Sequence, residues 1–274
     1  MTIDETAPAG VDITKPSIAR VYDFMLGGKD NFAVDRMAGR RALEITPDGP
    51  EAAVAARAFL RRVVRHLAAE AGIRQFLDLG SGLPSQGNVH EVAHQVDPGI
   101  RVVYVDNDPM VLAHGRALLA DEETSTVIQA DIREPEQILS HPVVAEYLDF
   151  TRPVGLLLLS ILHHINDDEG PERIARVLRD ALPSGSYLAI IHFWDPADEH
   201  PDVSAKTRDA ERVFNENLGT GRWRTREEIM AYLGDFELVE PGLVPLAEWR
   251  PVPDEPATQT NSYYTMIGGV ARKL

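Results

Sequence analysis

Phe76-Leu77-Asp78-Leu79-Gly80-Ser81-Gly82 is an apolar run that takes up one acid and ends in Gly-x-Gly. It reads as a buried strand emptying into a tight turn. Without Cβ atoms, Gly80 and Gly82 can take positive φ and let the backbone lie close against a ligand. A pyrophosphate at such a turn asks for helix N–H groups and no anion beside it. Asp78 is an anion at the mouth of the turn, and the dinucleotide fingerprint fails at its third position, Ser85. The polarity suits a ligand that brings a positive group.

Outward from this turn, strand-like runs and helical patterns alternate. Strands are predicted at 75–79, 101–106, 125–130, 154–160 and 186–193, with helices near 87–96, 109–121, 134–140 and 168–182. Continuous apolar runs such as Gly155-Leu156-Leu157-Leu158-Leu159 mark strands covered on both faces, as in a parallel sheet. The alternation predicts a Rossmann-like, doubly wound α/β domain with right-handed crossovers. Further on, 202–218 reads as a polar helix, and Thr225-x-x-Glu228 is a capping box opening a helix through Leu233. Two last strand-like stretches, 236–248 and 262–272, predict an antiparallel hairpin at the sheet edge across a Pro-rich loop at 251–256.

Before the turn, residues 1–15 read as a flexible polar tail. Ser17 can cap a helix from Ile18 to Leu26 that breaks at Gly27-Gly28. A longer helix follows Asp48-Gly49-Pro50, with Val54, Phe59, Leu60, Val63, Val64 and Leu67 as its apolar stripe and Gly72 at its end. The expected organisation is a tail over 1–15, an N-terminal helical lid or extension over 16–72, and a ligand-binding domain over 73–274 with a helical insertion near 202–234.

A net charge of −16 argues against nucleic-acid phosphates or an anionic membrane as the main partner. With no cysteine, disulfides, Cys-ligated zinc and thiol catalysis are excluded. The apolar run from Val154 to Leu159, with Ile161 and Leu162 beyond Ser160, is too short to span a bilayer. The first fifteen residues carry neither a basic nor an apolar signal region, so a cytoplasmic location is expected.

Three acids end three successive strands. Val102-Val103-Tyr104-Val105-Asp106 leads into Asn107-Asp108-Pro109, and an acid at this point is where a Rossmann-like site grips ribose hydroxyls. Asp108 can also cap the helix that Pro109 opens. The third strand ends in Ala130-Asp131-Ile132-Arg133, where Asp131 either meets the ligand or caps the next helix. Asp78, Asp106 and Asp131 are expected on one rim, the carboxyl edge of the sheet. The fourth strand ends in Leu159-Ser160-Ile161-Leu162-His163-His164-Ile165, which brings two histidines to that rim. Either could be a general base with a pKa near working pH, or one could be structural while the other simply packs under the ligand.

Three further stretches carry residues that could serve a site. His90-Glu91-Val92-Ala93-His94 matches the helical zinc-hydrolase signature H-E-x-x-H, but it directly follows the glycine turn, and no metal site is expected there. The segment from Arg20 to Phe32 is dense in aromatic, Gly and polar residues. It could close the site over the rim, with Tyr22 and Asn31 in an acceptor pocket, or simply pack as a helix. Phe214, Asn215, Asn217 and Trp223 make the 202–234 helices a second lid candidate.

At these residues the chain resembles class I S-adenosylmethionine-dependent methyltransferases, and more closely a bacterial methyltransferase-like family. The stretches that carry the resemblance are Ala19 to Phe32, Phe76 to Glu91, Tyr104 to Pro109 and Leu158 to His164. It implies a seven-stranded, mostly parallel sheet with a reversed final strand. It also implies S-adenosylmethionine along Asp78, Gly80, Ser81 and Gly82, then Asp106 and Asn107, Asp131 and Ile132, and Ser160. Asp78 would take the methionine ammonium, Asp106 the ribose and Asp131 the adenine amino group. The methyl acceptor implied is a small molecule, near Tyr22, Asn31, His163 and His164. One departure from the wider class is Pro84, where a third loop glycine is common. The alternatives are a S-adenosylmethionine-binding regulatory module without turnover, a nicotinamide oxidoreductase and a zinc hydrolase.

Overall fold

Strands β1 (Gln75–Leu79), β2 (Arg101–Asp106), β3 (Ser125–Gln129), β4 (Gly155–Leu159) and β5 (Tyr187–Phe193) run parallel in the order β3-β2-β1-β4-β5. The chain steps outward from β1 in both directions, so β1 and β4 flank a topological switch point at their carboxyl ends. This is a computed structural model describing residues 7–8, 10–84, 87–119, 123–253 and 259–274. Ser85, most of the leading tail and part of the loop at 251–256 lie outside the described residues.

Beyond β5 the sheet reverses. β6 (Glu237–Leu238) and β7 (Val244–Pro245) each pair with β8 (Met266–Arg272), which runs antiparallel to β5 and lies between β5 and β6. The expected hairpin is therefore corrected: its long final strand sits inside the sheet, and 236–248 forms two two-residue pairings. Pro241 and Pro245 bring no N–H to a ladder, which interrupts a continuous strand. Among the described residues the sheet has eight strands where seven were expected.

Alternate residues of the parallel strands serve opposite faces, as a pleat requires. Phe76, Val102, Leu157, Ala189 and Val270 join Phe59, Val63 and Leu67 of α3 (Gly49–Ala69) in one core. Leu77, Val103, Leu156, Leu158 and Ile190 join Ile174 and Leu178 in the other. Val54, expected in the α3 stripe, is 58% exposed.

The helices are α1 (Ile18–Met25), α2 (Ala33–Ile45), α3, α4 (Val89–His94), α5 (Pro109–Leu118), α6 (Pro135–Leu139), α7 (Pro142–Tyr147), α8 (Pro171–Ala181), α9 (Pro201–Leu218) and α10 (Arg226–Leu233). The Thr225 hydroxyl accepts the Glu228 N–H while Glu228 accepts the Thr225 N–H, the capping box read from sequence. No helix among the described residues is long and apolar enough to cross a membrane.

The N-terminal segment is fastened to the sheet rim by buried charge. Arg20 donates from Nε to Asp35 Oδ2 at 2.9 Å and from Nη1 to Asp108 Oδ2 at 3.3 Å, and from Nη2 to the carbonyls of Asp12 and Lys15. Ser17 Oγ donates to the same Asp108 oxygen. Asp35 also accepts the N–H groups of Ser17 and Phe32, which caps the first turn of α2. Ser17, expected as a helix cap, thus binds the rim instead.

Candidate cofactor and acceptor site

A cavity of about 780 Å³ opens at the carboxyl ends of β1, β2, β3, β4 and β5, within the usual range of small-molecule pockets, roughly 300–1,000 Å³. Asp78, Gly80, Ser81, Gly82, Asp106, Asn107, Asp131, Ile132, Ser160, His163, His164 and Tyr22 all line it. The sheet rim forms its floor. α1, the start of α3, α9 and the segment 261–266 close over it.

Asp78 is 5% exposed, and among the described residues none donates a hydrogen bond to its carboxylate. Burial pushes its pKa up to about 7, with the Arg57 guanidinium pulling it down and Asp106 pushing it up. The rise from 3.8 corresponds to about 4 kcal/mol held against the ionised form. Asp106 is also lifted by burial, to about 6, against the N–H groups of Asp108 and Gly82 that favour its charge. Its Oδ2 accepts from Gly82 at 2.9 Å and its Oδ1 from Asp108 at 2.9 Å. The Asn107 N–H also favours its charge, and a carboxylate has about four lone-pair positions, so one remains for a ligand's hydroxyls.

Asp131 is further out. It accepts the Arg133 N–H at 2.9 Å and pairs with the Arg133 guanidinium at 3.1 Å, while Asn107 donates to its Oδ2 at 3.3 Å. Burial raises its pKa, but these donors outweigh it and hold the carboxyl below the usual value. Asp108 caps α5 by accepting the Met110 N–H at 2.8 Å, so capping and rim binding divide between neighbouring acids.

The two glycines of the turn differ in role. Gly80 has φ +69° and a Cβ there would stand 2.6 Å from the Ile161 side chain. Gly82 has φ +68° and nothing within 4 Å of that position, so its side faces open space. Ser160 also has positive φ, +66°, which a non-glycine adopts at a cost of order 1–3 kcal/mol. The Ser160 Oγ and the His164 Nδ1 are buried and without a hydrogen-bond partner among the described residues.

Both histidines are buried in the cavity wall, and a pKa near working pH is corrected. Burial, with His164 and His192 beside it, pushes His163 well below its usual value. Burial, aided by Arg133, takes His164 down to about 4. Both imidazoles are therefore neutral at neutral pH. His163 Nδ1 accepts the Phe193 N–H at 3.3 Å, which leaves the proton on Nε2 and makes that nitrogen a donor.

Tyr22 lines the cavity, but its hydroxyl donates to the Ala53 carbonyl at 3.1 Å. Asn31 is corrected: it does not line the cavity, because its carboxamide donates to Asp23 Oδ2 at 2.7 Å and to the Gly28 carbonyl at 3.1 Å. Those bonds close the turn between α1 and α2. The H-E-x-x-H run lies on α4, where Glu91 accepts the Gly87 and Asn88 N–H groups, His90 Nδ1 meets Tyr104 Oη at 2.7 Å and His94 Nε2 meets the Ile100 carbonyl at 3.0 Å. Among the described residues there is no His, Cys, Asp and Glu grouping able to hold a metal.

Sequence reading passed over Arg57, Phe193 and Lys206, which also line the cavity. Arg57 is a charge on the otherwise small face Ala52, Ala53, Ala56 of α3, and Phe193 ends β5 on the rim. Both positions carry a usable signal, since a rim-facing strand end and a lone charge on a small-residue face are places for ligand contact.

These residues fit S-adenosylmethionine: a buried carboxylate without a donor among the described residues for its ammonium, an open glycine for close backbone approach, and a second acid with a lone pair to spare for its ribose. The S-adenosyl methyltransferase family profile matches residues 4–274. A protein from Thermobifida fusca YX assigned as a methyltransferase is 49% identical, with a TM-score of 0.90, over 97% of this chain and 98% of its own. A DUF574 family protein from Streptomyces avermitilis MA-4680 is 38% identical, with a TM-score of 0.89, over 96% of this chain and 99% of its own. No match was found among curated proteins. With the profile running over nearly the whole chain and both structures alike across their length, the chain belongs to the S-adenosyl methyltransferase family and is an S-adenosylmethionine-dependent methyltransferase.

Proposed function

We propose that the chain methylates a small molecule held in the cavity between the sheet rim and the helices α1, α3 and α9. The observation that carries this reading is Asp78, a buried carboxylate facing the cavity with no donor among the described residues. When bound, S-adenosylmethionine supplies a methyl group on a positively charged sulfur. Asp78 holds its ammonium, Gly80 shapes the turn, Ser81 and Gly82 lie along it, Asp106 and Asn107 take the ribose, and Asp131 and Ile132 the adenine. The unpartnered Ser160 Oγ supports a polar contact at the floor.

His163 donates from Nε2 toward the acceptor, and His164 stands beside it as a neutral ring. Neither is set up as a strong base, so these residues orient the acceptor and leave the transfer to proximity and alignment. The segment over 16–45 and the helix α9 act as covers that keep water from the reacting groups. The expected setting is cytoplasmic, and the strong negative charge argues against nucleic-acid or membrane partners.

The test is isothermal titration with S-adenosylmethionine, its demethylated product and NAD. S-adenosylmethionine binding at micromolar levels, weakened at least tenfold by Asp106→Ala, is expected. Binding of NAD in its place, or an affinity untouched by Asp106→Ala, would sink the site assignment.

A further inference from the structure

The wall farthest from Asp78 in chemistry is aromatic and carries one cation. His163 and Phe193 stack with ring centroids 3.6 Å apart, and Phe193 and Trp223 stack at 4.3 Å. Phe214 stands edge-on to both Phe193 and Trp223, at 5.8 and 5.4 Å. Aromatic walls of this kind favour flat rings, which meet them by offset stacking or edge-to-face contact.

Helix α9 supplies the rest. Val203, Lys206, Thr207, Ala210 and Phe214 recur at helical spacing, so they share one stripe, and all five line the cavity. Lys206 is the single charge on that stripe. Its Nζ meets Asn261 Oδ1 at 3.3 Å, a neutral partner. Asp48, an acid that also lines the cavity, already accepts the Ser262 N–H at 2.6 Å. A few well-placed polar groups in an apolar pocket are what fix a ligand's identity and orientation.

The carboxylates elsewhere in the cavity do not make it a site for cations other than the cofactor's. Asp106, Asp108 and Asp131 are each tied to backbone N–H groups, and Asp12 is tied to Thr14. Among the described residues, Asp78 alone of the cavity's acids has no donor, and it serves the cofactor ammonium. The acceptor wall therefore presents a positive charge without an acidic partner among the described residues, a neutral His163 N–H donor and flat apolar rings.

We propose that the methyl acceptor is a planar aromatic acid, whose carboxylate is read by Lys206 and whose ring packs against Trp223, Phe214 and the edge of Phe193, both faces of Phe193 being taken by His163 and Trp223. The inference rests on the reading of the cavity as the methyl-transfer site and adds the class of acceptor. Lys206 is the residue that sets specificity: a neutral ring of the same shape leaves the ammonium without a counter-charge, and the distinction between acid and amide is made there.

The experiment titrates protein saturated with S-adenosylhomocysteine with benzoate, naphthalene-2-carboxylate and indole-3-carboxylate, each against its own carboxamide. At least one acid is expected to bind tenfold or more tightly than its amide. Lys206→Met should bring that acid to the level of the amide while S-adenosylhomocysteine affinity is unchanged, and Lys206→Arg should keep most of the difference. Equal binding of acid and amide, binding of neither in all three pairs, or an advantage that survives Lys206→Met overturns the proposal. Failure of S-adenosylhomocysteine to bind in the first place is a separate result: it overturns the cofactor site, and this inference with it.

Discussion

The Gly82 N–H donates to Asp106 Oδ2 at 2.9 Å, so the turn after β1 and the acid ending β2 form one unit. That bond holds the second glycine with its bare side toward open space, whereas the first is packed on Ile161. The two should respond differently to alanine. Gly82→Ala meets no neighbour but takes an unfavourable φ, about 1–2 kcal/mol, and places a methyl group where the ligand comes close. It should fold, melt a few degrees lower, and bind S-adenosylmethionine at least tenfold more weakly. Gly80→Ala adds a collision and should lose clearly more stability. Thermal melts and titrations on both variants check this, and equal losses of stability would contradict it.

Asp78 should act against stability in the protein without ligand. A carboxyl with a folded pKa near 7 keeps a proton that the unfolded chain gives up near 4. Stability is therefore lost as pH rises through that window, and the loss is complete above it. Asp78→Asn removes the group that must ionise. Its melting temperature should exceed that of the wild type by several degrees at pH 8 and match it near pH 4, while its affinity for S-adenosylmethionine falls at least tenfold. A lower melting temperature at pH 8 would count against the burial argument.

Affinity for the cofactor should itself depend on pH. A ligand ammonium needs Asp78 ionised, and ionised Asp106 is the better acceptor for ribose hydroxyls. With pKa values of about 7 and about 6, both protonate as the pH falls from 8 to 5. Binding should weaken progressively over that range, by tenfold or more at pH 5.5 relative to pH 8. In Asp78→Asn the part of the profile near pH 7 should disappear. A flat profile from pH 8 to pH 5.5 contradicts the assignment.

Arg20 holds two buried acids, Asp35 with 0% of its side chain exposed and Asp108 with 5%. Arg20→Met leaves both without their cation, a loss on the order of 3–5 kcal/mol. It also releases the carbonyls of Asp12 and Lys15, which hold the leading segment over the rim. Urea melts should show the loss, and stopped-flow dissociation of S-adenosylmethionine should be faster. Asp35→Asn, which keeps a side chain able to accept from Arg20 and Phe32, should give a smaller version of both. Unchanged dissociation in a destabilised Arg20→Met would mean that the segment does not cover the cofactor.

β1, β2, β4 and β5 were legible because their centres are buried on both faces and read as apolar runs, while the shorter, half-exposed edge strand β3 was marked by Val127-Ile128 and the acid that follows. The rim acids followed from those ends. α2 carries no such signal: Arg36, Arg40, Arg41 and Glu44 interrupt any apolar stripe, and Gly39 stands in its middle. That glycine is explained only by contact, since a Cβ there would meet the Phe24 ring at 2.4 Å. β6 and β7 are two-residue pairings set by β8, which local pattern cannot show. Asn31 was misplaced for a similar reason, its carboxamide being taken by Asp23, a partner eight residues away. The histidines were placed correctly on the rim, but their basicity depends on burial, which a sequence does not display.

The raised pKa values of Asp78 and Asp106 leave the empty pocket partly protonated near neutral pH. A positively charged ligand must drive those protons out as it enters. The heat recorded on binding will then contain the heat of the buffer taking them up, and it will differ between Tris and phosphate at the same pH. The size of that difference counts the protons expelled, and so reports how far the two carboxyls were from ionised before the cofactor arrived.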